Sequence, residues 1–140
     1  MKTDEGNPLD WLMAGKSRLE SADHLYEVEG SSPAVVELLQ EAVERSLKAY
    51  LILRKWTLVR THDLNRLVAE ATKHDARFAA YHRFTAQLTE QFWEQHYPGG
   101  DLSEVGSDYA ELRCQAGEMT QLILAAFPPE LRERNSTETK

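Results

Sequence analysis

A few residues stand where their types could do chemistry. Lys48 follows Glu44 by four positions inside a strongly periodic segment. On an exposed helix face the two would form a surface ion pair worth about 0.3–0.5 kcal/mol, whereas a lysine opening onto a groove would meet a phosphate as a point charge. His62 and Asp63 sit at the start of a short periodic run. Asp63 suffices as a helix cap, and an Asp–His hydrogen bond would orient the imidazole. The unpaired N–H groups of that helix start could also receive an anion, with Arg60 and His62 beside it.

Other chemistries find no support in the sequence. Cys114 is the single cysteine, which excludes an intramolecular disulfide and a multi-thiolate zinc site. None of the five histidines is paired four apart with a suitable third ligand, so no metal and no cofactor is expected. Gly99-Gly100 follows Pro98 and lacks the Lys-Ser/Thr of a phosphate loop. Trp11, Trp56 and Trp93 read as core or interface anchors rather than base-stacking platforms.

The elements that must position these residues belong to one domain of 140 residues, 41% hydrophobic and 28% charged. Sixteen Lys and Arg against 23 Asp and Glu give a net charge of −7, which argues against a whole-surface nucleic-acid binder and leaves room for a local basic patch at Arg54, Lys55 and Arg60. The N-terminus lacks the basic-then-apolar layout of a secretory signal, and the longest apolar run, Leu122 to Phe127, is too short to span a membrane. A cytoplasmic protein is expected.

Asn7-Pro8 supplies a cap and an N1 proline for a first helix that Gly30 ends. Ser32-Pro33 opens a second, central helix with an apolar face from Val35 to Leu51 and a polar side carrying Glu37, Glu41, Glu44, Arg45 and Lys48. Thr57–Thr61 reads as a turn, followed by a short helix capped by Thr61 or Asp63. One long helix from Asp75 to Pro98-Gly99-Gly100, and another from about Ser103 to Phe127, complete the chain. The expected fold is all-α, an up-and-down antiparallel bundle of four long helices and one short one. Residues 1–8 form an N-terminal segment, 9–127 the bundle and 128–140 a flexible tail.

Three stretches of this pattern resemble the HEPN family, the higher eukaryotes and prokaryotes nucleotide-binding domain. They are the central helix Leu39–Leu51, with its Ala, Glu, basic residue and Lys48-Ala49; Thr61-His62-Asp63-Leu64 with Leu67; and Tyr97-Pro98 after a long helix. Where many members carry Arg before the Tyr-Pro pair, this chain has His96.

The resemblance implies one of two classes. Some members are metal-independent ribonucleases, often toxins of toxin–antitoxin systems, with an Arg and a His four to six residues apart brought together across a homodimer. Arg77 and His82 have that spacing, and so do Arg18 and His24, while chance alone supplies about one such match. In the catalytic role His82 would move a proton at the 2′-hydroxyl or leaving oxygen and Arg77 would hold the scissile phosphate. On a regular helix five positions turn the two side chains about 140° apart, so a distorted helix or one beginning between them would be required. Other members lack the catalytic pair, are encoded beside a minimal nucleotidyltransferase, and assist binding of nucleotide or polynucleotide. The second class is the leading expectation: a homodimeric binding and partner module, not a self-sufficient enzyme, with Lys48, Arg60, His62, Asp63, His96 and Tyr97 as ligand-binding candidates. Ribonuclease action by Arg77 and His82, or a ligand-free structural adaptor, are the alternatives.

Overall fold

The computed structural model describes residues 2–96, 98, 99, 102 and 105–131. They form five α-helices: α1 (Pro8–Glu29), α2 (Pro33–Leu53), α3 (Leu64–His74), α4 (His82–His96) and α5 (Tyr109–Ala125). A 3-10 helix, Ala76–Tyr81, precedes α4, and the described residues contain no strand.

The capping residues fix where the helices begin. Asn7 Oδ1 accepts from Leu9 N at 2.9 Å and Ser32 Oγ from Val35 N at 3.3 Å, each just ahead of a proline whose fixed φ suits the first turn. Gly30, at φ 74°, ends α1 and turns the chain into α2. Contacts between these two helices run in opposite senses. Trp11 meets Lys48, Gly15 meets Ser46 and Arg18 meets Glu41, so the pair is antiparallel. A Cβ at residue 15 would lie 2.5 Å from Ser46 Oγ and 3.2 Å from the Ala42 carbonyl oxygen, so only glycine lets the backbones approach this closely.

Helix α2 is the hub, packed against α1, α3, α4 and α5. Val35, Val36, Leu39, Val43, Leu47 and Leu51 are all fully buried. Phe78, Phe84 and Leu88 close the core from the α4 side and Leu112, Met119 and Ile123 from the α5 side. Helix α5 is antiparallel to α1: Tyr109 lies on Tyr26 with ring centroids 4.6 Å apart, and Arg113 grips Asp23 with two bonds of 2.6 and 2.9 Å.

The structure corrects the sequence expectations at three places. The run from Asp75 is not one helix: Asp75 caps the 3-10 segment, and α4 begins only at His82. Helix α5 starts at Tyr109, not near Ser103, because Gly106 sits at φ 85° in a turn whose N–H is taken by Gln91 Oε1 at 3.0 Å. The polar side of α2 is not uniformly solvated either. Glu44 and Lys48 are buried, at 8% and 4% exposure, since α1 and the connection to α3 cover that side as well. Of the expected tail, residues 129–131 are helical, with Leu131 N on the Pro128 carbonyl at 3.0 Å and Leu131 packed against the core. The rest of the tail lies outside the described residues. Among the described residues no helix is long and apolar enough to cross a membrane.

Candidate functional site

The site grows from the end of α2. Lys55 adopts φ 70° and Trp56 N closes on the Leu51 carbonyl at 2.9 Å, which stops the helix and sends residues 57–63 back across the bundle as an extended connection. Gln40 Nε2 holds that connection by donating to the His62 carbonyl at 3.3 Å. Thr61 Oγ1 accepts from Asp63 N at 3.1 Å, and Asp63 Oδ1 in turn accepts from Asn65 N and Arg66 N at 3.0 and 3.3 Å. Asp63 is therefore the cap of α3, and its carboxylate fills the donors that an external anion would need.

Six side chains from four parts of the chain form a series of contacts here. Glu44 Oε2 accepts from Lys48 Nζ at 2.9 Å, while Glu44 Oε1 lies 2.9 Å from His62 Nδ1. Lys48 Nζ stands 5.3 Å from the Trp11 ring centroid, and Trp11 Nε1 donates to the Glu5 carbonyl at 2.8 Å. The Glu5 carboxylate accepts two bonds from Arg60 Nη2, at 3.0 and 3.2 Å. Arg60 and His62 stand two positions apart in the connection, so the backbone, not a side-chain contact, links the two ends of this series.

Exposure divides the series into a floor and a rim. Glu44 and Lys48 lie inside, whereas the His62 and Arg60 side chains are 76% and 83% exposed. A carboxylate accepts only, so His62 gives its Nδ1–H to Glu44 and turns Nε2 to solvent. The charge of Glu44 is offset by Lys48, whose ammonium in turn lies over the Trp11 ring. The arrangement leaves the His62 imidazole with Nε2 as an acceptor and the Arg60 side chain as a planar guanidinium, the group of the two that suits a phosphate oxygen. Lys48, which would meet a phosphate only if it opened onto a groove, is instead buried and committed to Glu44.

Arg77 and His82 fare differently. Arg77, 74% exposed, is clamped on Asp75, with Nε–Oδ1 at 3.1 Å and Nη2–Oδ2 at 2.8 Å. These bonds hold the Asp75 carboxyl below its ordinary range and raise the guanidinium. His82 opens α4, and its Nε2 lies 3.5 Å from Thr72 Oγ1 on α3. Within one chain the two side chains have separate partners and no shared one. His96 is the last residue of α4, its side chain outside the described set, and Tyr97 lies outside the described residues altogether.

Residues 9–123, from the start of α1 almost to the end of α5, match the family model described as HEPN domain. The chain belongs to the HEPN domain family. The match spans the whole bundle, so the HEPN helical module accounts for α1 to α5 together with the connection that carries Arg60 and His62. No curated protein and no solved structure matches the chain.

Sequence reasoning singled out Lys48, Arg60, His62 and Asp63, read Glu44 as the surface partner of Lys48 and Trp11 as a core or interface anchor, and did not single out Glu5. Spacing gave no signal for the burial of Glu44: Val35, Val36, Leu39, Ala42, Val43, Ala49 and Tyr50 cover an arc of about 140° on α2, and Glu44 lies outside it. Glu5 precedes the first periodic residue and gave no signal either.

Proposed function

We propose that this HEPN module binds the phosphate groups of a nucleotide or polynucleotide at the Arg60–His62 edge, and does so as a binding and partner module rather than as a ribonuclease. The observation that supports this is the fixed presentation of the His62 imidazole by buried Glu44, next to the exposed Arg60 guanidinium. Arg60 would take a phosphate oxygen in its planar fork, and His62 would accept from a ribose hydroxyl through Nε2. Arg77 and His82 contact different residues, Asp75 and Thr72, so within one chain the described contacts do not join them in one site.

The partner reading rests on the family resemblance: a cytoplasmic homodimer working with a minimal nucleotidyltransferase-type protein. Exposed Trp93 at the end of α4 and Leu102 on the following connection suit the interface of such an assembly.

Titration calorimetry with ATP and with a mixed-sequence single-stranded RNA tests the binding reading. Saturable binding that weakens with salt and falls roughly tenfold in Arg60→Ala is expected for loss of one charge-assisted contact. Binding of neither probe, or binding that Arg60→Ala and His62→Ala leave unchanged, would refute it. Metal-independent RNA cleavage abolished by His82→Ala would establish the ribonuclease alternative instead.

A further inference from the structure

We infer that residues 2–7 form a carboxylate-bearing strap that occupies the Arg60 edge in the free protein and is displaced by a phosphate-bearing ligand. The inference rests on the binding reading above and adds a regulatory element to the same site. Glu5 places its carboxylate on Arg60 at 3.0 Å, the geometry in which a phosphate would be held. The Glu5 carbonyl meanwhile takes the Trp11 indole N–H, so one residue caps both the cationic and the aromatic member of the series.

The strap is built to lift. Residues 2–7 are all exposed, so no apolar side chain anchors them in the core. Beside the Glu5 contacts, Asp4 N to Asp10 Oδ2 at 2.9 Å ties the segment to α1, while Gly6 N to Asp4 Oδ1 at 2.8 Å and Asn7 N to the Asp4 carbonyl at 3.0 Å are bonds within it. Both partners of the Glu5–Arg60 pair stand largely in water, where such a pair exchanges readily. An open cleft of about 290 Å³ lies between the strap and the bundle, bordered there by Asp10, Trp11, Ala14 and Arg45. Helix α1 carries its own cap at Asn7, so the hinge lies before the helix and displacement leaves the fold intact. With the strap away, Arg45 and the Trp11 face join Arg60 as a basic and aromatic surface of the kind that receives a phosphate and a stacked base.

Glu5→Gln in the full-length chain tests this, with ATP and the mixed-sequence RNA as probes. The variant keeps the wild-type melting temperature and binds about two- to five-fold tighter, the fold-change expected for removing one exposed competing ion pair. The gain vanishes when Arg60→Ala is added, and the Trp11 indole N–H resonance of the wild type moves as ligand saturates. Unchanged affinity in Glu5→Gln with a fixed indole resonance, while Arg60→Ala still loses binding, would overturn the strap and leave the site standing. An equal gain in the absence of Arg60 would reduce the effect to overall charge and also overturn it. If wild type and Glu5→Gln alike bind neither probe, strap and binding site fall together.

Discussion

Glu44 accepts from Lys48 with one carboxylate oxygen and faces His62 with the other, from a position almost closed to solvent. Taking two charges out of water is expensive, and the pair is tolerable only because each finds the other, with the Trp11 ring as a further neighbour of the cation. Removing one member leaves the other buried and uncompensated. Glu44→Ala should therefore destabilise the fold by about 3–5 kcal/mol in denaturant unfolding, whereas Glu44→Leu combined with Lys48→Met should recover most of that loss. An unfolding midpoint for Glu44→Ala equal to wild type would mean that the pair stands in water. From the sequence, Glu44 and Lys48 were legible as a pair but not as a buried one, since an i, i+4 spacing says that two side chains meet and not what covers them.

At the scale of elements, helix starts were easier to read than interruptions. Asn7-Pro8, Ser32-Pro33 and Asp63 declare their helices because a cap acts on the two or three residues beside it. The break at His82 and the late start of α5 depend on distant partners: Thr85 Oγ1 bonds Asn65 Oδ1 on α3, and Gln91 Oε1 takes the Gly106 N–H. Such contacts have no local signature. Tyr109 shows what the docking of α5 on α1 entails. Its ring lies on Tyr26, its hydroxyl is buried without a hydrogen-bond partner among the described residues, and burial first, then the Asp23 charge, pushes its pKa up to about 12. Up to the ordinary value near 10 both folded and unfolded chains keep the proton. Above it the unfolded chain ionises first, so this contribution to stability is lost as pH rises toward about 12. Tyr109→Phe should be at least as stable as wild type at neutral pH, and its thermal melting should fall less steeply between pH 10 and 12. A parallel decline in both proteins would contradict this placement of α5.

For the whole molecule, the all-helical bundle followed from periodicity and caps, and its family follows from the match over residues 9–123. The position of the site was only half legible. His62, Asp63 and Arg60 were singled out from the start of a short helix, yet that helix end is closed by Asp63 itself. The proposed edge lies instead on the connection that α2 holds through Gln40 and Glu44, a consequence of tertiary packing that spacing does not encode. The net charge of −7 argues against nucleic-acid binding over the whole surface, and the proposed phosphate site is accordingly confined to one edge. Mapping amide and indole resonances of the full-length protein during titration with the mixed-sequence RNA tests that location directly. Perturbations centred on residues 60–63, with Trp11 and the middle of α2 following, are the predicted result. A footprint centred on Arg77 to His82, with the Arg60–His62 edge unmoved, would contradict it.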